Sequence, residues 1–420
     1  MRSICLYFEI HQPHRLKWFW PDQISTGFER YFDTSVNREI FEKVANKCYI
    51  PANRLLLDLI DEHGKDFRFS VSITGTLLDQ CTMWGEEVID TFRQMAESGC
   101  VEFLDETNYH SIAGLFDDRS EFTEQVIEHR KKVSDLLKVQ PDVFRNTELL
   151  YNNSIAKTAS DLGYRAILAE GADHVLDPSM GHIHPFENRN IIENSRYSPN
   201  YVYQARDSNI RVLLRNYPLS DDIGYRFSSR SWNEYPLTAD KWATWASHAR
   251  GDTLNIFMDY ETFGEHQWAD TGIFEFLKSY PNEVIKRNLE FNTPSETIDK
   301  YQTTGIVDID DFSTISWADM ERDTSAWIGN DMQRRCFEEA KLLEPYVKRT
   351  GDYELIRIWK HFLTSDHYYY MSTKWLGDAD VHSYFSIHTS PYDAAVNFMA
   401  AFMDFKAKVF YRLKKDNKIQ

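Results

Sequence analysis

Short apolar runs alternate with amphipathic stretches through roughly the first 300 residues of the chain. The runs are SICLYFEI (3–10), FRFSVSI (67–73), VEFLDE (101–106), DVFRNTE (142–148), RAILAE (165–170), RVLLRN (211–216) and LNIFMDYE (254–261). Each has strand length, carries branched or aromatic residues and is bounded by polar positions, so each reads as a buried strand. Between the first two, ANRLLLDLIDEHG places leucines at helical spacing and stops at Gly64. GEEVIDTFRQMAESG follows the same plan and stops at Gly99. A glycine there ends a helix because it enters the left-handed region without a Cβ clash. Residues 120–137, 154–162 and 238–249 predict further helices. Strand–helix alternation at this period predicts an α/β fold, a mainly parallel sheet with helices outside. About seven such units closing on themselves make a barrel. An open doubly wound sheet is the alternative, although no glycine-rich phosphate loop supports it.

The pattern changes after about residue 300. Residues 333–348, 353–371 and 392–413 read as helices, with a break at Gly351. This predicts two units: a catalytic domain over residues 1–305 and an α-helical domain over 306–420.

Catalytic groups of a parallel barrel sit at the C-terminal ends of its strands. Those ends supply Glu9 and His11, then Glu102, Asp105 and Glu106, Glu148, Glu170, Arg215, and Asp259 with Glu261. Carboxylates predominate, and no nucleophile-elbow serine or Cys–His pair stands in a recognisable setting. In FMDYETFGEHQW (257–268) an apolar run ends in Asp259, Glu261, Glu265 and His266. Three carboxylates so close repel one another and cost desolvation unless something uses or neutralises them. Two carboxyl groups from distant strands are what glycoside hydrolysis needs, one protonated for the leaving oxygen and one ionised. A ring of acids allows neighbours to push one pKa up while another stays low. Spacing alone does not choose the pair.

Composition narrows the field. A formal charge of −18 argues against nucleic acid, whose phosphates require lysine and arginine, and against an anionic membrane surface. No apolar stretch approaches a membrane span. The N-terminus runs straight into a strand without a secretory pattern, which predicts a cytoplasmic protein. Five scattered cysteines, with no paired ligand spacing, predict reduced buried thiols. Aromatics reach 15%, which suits stacking on sugar faces and suits a large core equally.

Five segments in order resemble the conserved regions of glycoside hydrolase family 57. They are HQPHRLKWFW from His11, GCVEFLDETNYHS (99–111), FRNTELLYNN (144–153), FMDYETFGEHQW, and LTSDHYYYMSTKW (363–375). SWADMERDTSAWIGN (316–330) is similar to the α-amylase and α-amylase-like subgroup. The resemblance implies an incomplete (β/α)7 barrel followed by a helical domain that completes the cleft. It implies Glu148 as nucleophile and Asp259 as general acid/base. It further implies substrate contacts at His11, Glu102, Glu261, Asp366 and Tyr369. Trp268, with Trp18, Trp20 and Trp232, is a candidate for a sugar-lined cleft. Cys100 stands where many members have Gln, and Tyr369 where some have Trp.

The resulting expectation is a retaining glycosidase of α-1,4-glucans such as starch, glycogen or maltooligosaccharides, with no cofactor. A 4-α-glucanotransferase or branching enzyme would use the same pair. A metal-dependent sugar hydrolase or deacetylase would need converging histidine and aspartate ligands. His110 and His367 lie near acids, but adjacent Asp366 and His367 fall on different helix faces, so no metal site is expected. An inactive glycan-binding protein is the alternative of another class.

Overall fold

The apolar runs form strands buried on both faces, as parallel strands under helices must be. In this computed structural model, which describes residues 1–187, 189–374 and 386–418, they are β1 (Arg2–Ile10), β2 (Phe69–Ile73), β3 (Val101–Phe103), β4 (Val143–Arg145), β5 (Ala166–Glu170), β6 (Arg211–Arg215) and β7 (Thr253–Asp259). One sheet has the order β7-β1-β2-β3 and another contains β4-β5-β6, all paired parallel. β1 is central. Ser3 to Glu9 pair with Thr253 to Asp259 along one edge, and Tyr7 to Ile10 pair with Ser70 to Ile73 along the other.

The sheets are joined on both sides. A parallel bridge pairs Asp105, just beyond β3, with Phe144 of β4. The Asn216 amide, just beyond β6, donates to the Asn255 carbonyl of β7 at 2.8 Å. β6 also carries an antiparallel neighbour, Val202–Ala205, which leads on to Gly305–Val307 and Ile183–Pro185. The strand ends that carry Glu9, Glu148, Glu170 and Asp259 thus open toward one side.

The glycine stops act as expected. Helix Ile50–His63 ends at Gly64 with φ 53°, and helix Glu86–Ser98 ends at a left-handed Gly99 with φ 66°. Among the described residues after 330, the helices are Asp331–Thr350, Tyr353–Phe362, Ser365–Tyr369 and Pro391–Lys415. The single helix expected over 353–371 is interrupted at Leu363 and Thr364. There the Ile112 amide donates to the Leu363 carbonyl at 3.1 Å. The Thr364 hydroxyl donates to the Tyr109 carbonyl at 2.9 Å. These bonds to the loop after β3 replace helical ones, and Thr364 turns extended with ψ 132°.

The core ignores the change of pattern. Phe144, Ile167 and Val212 from the strands share one apolar cluster with Phe337, Trp359, Phe362 and Phe402 from the C-terminal helices. No helix among the described residues is long and apolar enough to cross a membrane. All five cysteines are free and buried.

Candidate active site

Glu148 follows β4 in a tight turn, with φ 57° and ψ 23°, and Leu149 is also at positive φ. Such a conformation is uncommon for non-glycine residues and needs support from its surroundings. Trp317 gives that support twice. Its amide donates to the Glu148 carbonyl at 3.1 Å, and its indole Nε1 donates to Oε2 at 2.8 Å. Reciprocal bonds between Tyr151 and Ile315 dock the two segments side by side. Ser365 donates its hydroxyl to Glu148 Oε1 at 3.0 Å. The indole of Trp317 in turn packs against two guanidiniums, Arg145 at 4.8 Å and Arg215 at 5.7 Å from the ring. Arg215 is held by Glu170 at 3.0 Å and Asp221 at 2.5 Å.

The acid cluster after β7 resolves into three separate environments. Glu265 is buried and turned away, toward Lys43 at 2.7 Å and Lys47 at 3.8 Å. Glu261 Oε1 accepts from Tyr49 Oη at 2.6 Å and from the His11 amide at 3.3 Å. Burial pushes the Glu261 carboxyl up to about 8, with the charge of Asp259 adding to the effect and the Tyr49 hydrogen bond opposing it. Asp259 ends β7 in register with Glu9 on β1 and faces the cavity.

His11 and Asp366 meet across that cavity, Nε2 to Oδ2 at 2.9 Å, while His11 Nδ1 lies 3.0 Å from the Thr74 hydroxyl. Tyr369 donates its hydroxyl to Asp319 at 2.9 Å. Beneath them His110 is buried, its ring stacked on His11 at 3.9 Å. His110 Nε2 is 3.5 Å from Glu148 Oε1, and Nδ1 is 3.2 Å from Glu106 and 3.4 Å from Glu9. Glu9 also accepts from Tyr7 Oη at 2.6 Å and Ser72 Oγ at 3.0 Å, and forms an ion pair with Arg145 at 2.9 Å.

The structure therefore brings Glu148, Asp259, His11, Glu261, Asp366 and Tyr369 to one open cavity of about 800 Å³, counting solvent at its mouth. It does not bring Glu102 or Trp268 there. Glu102 sits within β3, and its carboxylate accepts from the Ser295 amide at 2.9 Å and hydroxyl at 2.5 Å. Ser295 lies in the first turn of helix Pro294–Lys300, whose unsatisfied amides attract a carboxylate. Trp268 is 54% exposed, with the Lys47 ammonium 5.2 Å from its ring. Cys100 lies at the start of β3, away from the cavity, with its thiol toward the Gly64 carbonyl at 3.5 Å. Trp375, at the end of the fifth segment, lies outside the described residues.

Sequence reasoning left out Trp317, Ser365, Tyr225, which also lines the cavity, and the pairing role of His110. Trp317 and Ser365 carry no distinctive spacing and depend on residues 315–317 and 363–366 folding back onto β3 and β4. Glu9, Glu106 and His110 each place one oxygen or nitrogen within 4.8 Å of the others. Arg145 already neutralises Glu9, and both ring nitrogens of His110 face carboxylates, so the donor set reads as an ion network.

The model of the family described as glycosyl hydrolase family 57 matches residues 5–310. A protein of Methanocaldococcus jannaschii named "Putative alpha-amylase" is 45% identical over 412 residues, which is 96% of this chain and 84% of that protein. Among solved structures, the chain superposes on a family 57 branching enzyme of Thermococcus kodakaraensis with TM-score 0.67 at 13% identity, over 96% of this chain and 89% of the other. It superposes on an alpha-amylase of Thermotoga maritima with TM-score 0.56 at 15% identity, over 99% and 97%.

Proposed function

This chain belongs to glycosyl hydrolase family 57, and on that premise we propose that it is a retaining glycosidase of α-1,4-glucans, acting on starch, glycogen or maltooligosaccharides. The observation that carries the reading is the sharing of one cavity by two carboxyl groups from separate sheets, Glu148 after β4 and Asp259 at the end of β7. Glu148 receives two hydrogen bonds from neutral donors and faces His110, surroundings that favour its ionised form.

In this reading the strands β1 to β7 form the incomplete (β/α)7 barrel within residues 1–305, and residues 306–420 supply the opposite wall of the cleft. Glu148 attacks the anomeric carbon while Asp259 gives its proton to the departing glycosidic oxygen. The product of that step is a glycosyl ester on Glu148. Asp259 then takes a proton from water, the water oxygen bonds to the anomeric carbon, and Glu148 leaves as a carboxylate. Two inversions give net retention. His11, Glu261, Asp366 and Tyr369 contact sugar hydroxyls around the pair. Glu261, whose burial favours the protonated form, can donate a hydrogen bond to a hydroxyl and lessens the charge beside Asp259. Glu102 and Trp268 have no part in this scheme.

A sugar hydroxyl in place of water would make the same pair a glucanotransferase or branching enzyme. Incubation with maltoheptaose, with products resolved over time and reducing ends counted, tests the proposal. Shorter chains with a matching gain in reducing ends support hydrolysis. New longer chains without that gain assign transfer, and unchanged substrate that remains bound assigns a glycan-binding protein.

A further inference from the structure

His110 stands out because every polar atom of its ring faces a negative or potentially negative group. Nε2 is directed at Glu148 Oε1 at 3.5 Å, and Nδ1 at Glu106 and Glu9 at 3.2 and 3.4 Å. A neutral imidazole would turn a bare nitrogen lone pair toward one of those carboxylates. A carboxyl group on each side favours a donor at both nitrogens. The ring has no freedom to escape. It is 4% exposed, stacks on His11, and belongs to a backbone at φ 48° whose amide donates to the Thr107 carbonyl at 3.1 Å. Its own carbonyl accepts from the Ser365 amide at 2.9 Å, and Ser365 is the residue whose hydroxyl reaches Glu148.

We propose that His110 is a positioning residue of this reaction: a buried cation, anchored by Glu9 and Glu106, that fixes the carboxylate of Glu148 and assists its departure in the second displacement. The proposal rests on the reading of Glu148 as nucleophile. In the first displacement Glu148 gives up its charge to the new bond with the anomeric carbon, while Asp259 protonates the leaving oxygen. In the second, water adds to that carbon, Asp259 receives the water proton, and the bond to Glu148 breaks with both electrons returning to Glu148. The returning charge appears beside His110. A fixed cation there stabilises it without any reorganisation.

The surrounding charges agree. Burial alone would lower the His110 pKa, but hydrogen bonds to Glu106 and Glu148 and the field of Glu9 overcome it and push it up to about 10. His11, stacked on the same ring, is held below its ordinary value by burial and by the His110 charge, with Asp366 opposing. Arg145 supplies a second cation to Glu9, and the Asp105–His129 pair flanks Glu106.

The test uses His110→Asn in the full chain, with an aryl α-maltooligoside and maltoheptaose as substrates. Without the cation Glu148 holds a proton more readily, so the acid limb of kcat/KM should move up by about 1–3 pH units. Release of the aryl alcohol should show a burst followed by a steady rate at least about tenfold below the native one, because the glycosyl-enzyme now accumulates. Added imidazole should restore the steady rate of His110→Gly toward the native value. A purely structural role would lower activity without moving the acid limb or producing a burst, and that result overturns the proposal. A measurement on the native protein covers the case in which these variants do not fold. In the protein labelled with 15N-histidine, the ring signal that shifts in Glu148→Gln should keep both nitrogens protonated through pH 8, and a neutral ring at pH 7 overturns the proposal. Glu148→Gln is also the control on the reading itself. If it turns over normally, the nucleophile lies elsewhere. If it is inactive while His110→Asn keeps the native acid limb, only the role of His110 fails.

Discussion

Nε2 of His11 lies 2.9 Å from Oδ2 of Asp366, although 355 positions separate them in the chain. The residue just past β1 and a residue of the C-terminal helices thus meet in one cavity, and neither region encloses it alone. Asp366→Asn keeps the shape and removes the charge. KM for maltoheptaose should rise by about tenfold or more, the scale of one hydrogen bond to a charged group, with a smaller change in kcat. Steady-state kinetics of the purified variant checks this, and an unchanged KM would make Asp366 a structural partner of His11.

The catalytic pair makes a sharper prediction. Glu148→Gln should lose several orders of magnitude in turnover while glucan binding survives. Asp259→Asn should lose ~10²–10⁴ and recover partly with a leaving group that needs no proton. Azide distinguishes the roles. With Glu148→Ala it attacks the bare anomeric carbon and gives the β-azide. With Asp259→Ala it attacks the glycosyl ester and gives the α-azide. One anomer from both variants would contradict the assignment.

Glu261 links the site to pH-dependent stability. Its carboxyl is raised from 4.5 to about 8 in the folded protein. Below about pH 4.5 both folded and unfolded chains are protonated at this residue, and its contribution is fully present. As pH rises toward 8 the unfolded chain releases the proton and the folded one keeps it, so stability falls, by up to ~1.4 kcal/mol per pH unit. Above 8 the contribution is gone. Glu261→Gln should flatten the slope of Tm between pH 5 and 8, and equal slopes in both proteins would show that Glu261 ionises freely.

Glu102 should behave oppositely to the cavity acids. Its carboxylate caps helix Pro294–Lys300 through Ser295. Glu102→Ala should cost ~1 kcal/mol in denaturant unfolding and leave kcat on maltoheptaose near the native value. A large kcat loss with unchanged stability would return Glu102 to the reaction.

Residues that announce themselves by local pattern were legible in the sequence. The apolar runs named the strands because burial on both faces leaves no polar interruption. Gly64 and Gly99 named helix ends because they must reach positive φ. Glu148 and Asp259 stood out as acids where an apolar run stops. Glu102 shows the limit of that rule. It belongs to a run that looks the same, yet its place within β3 rather than beyond its end directs it to Ser295. Trp317, Ser365 and His110 lie outside any such rule, since each acquires its role from chain segments that meet only in the folded state. The break at Thr364 has the same origin. Its local sequence continues a helix, and bonds to Tyr109 and Ile112 outweigh that preference.

The position of β1 at the centre of its sheet sets an order of events during synthesis. Ser3 pairs with Thr253, and Glu9 with Asp259. At ~5–20 residues per second, the longer edge of the first strand waits roughly 10–50 s for the segment that will cover it. Throughout that interval a strand apolar on both faces has an unpaired edge, open to addition by strands of other chains. Asp366 and Ser365 emerge later still. A chain stalled before residue 253 therefore leaves that edge of the first strand uncovered and lacks Asp259, Ser365 and Asp366 of the cavity.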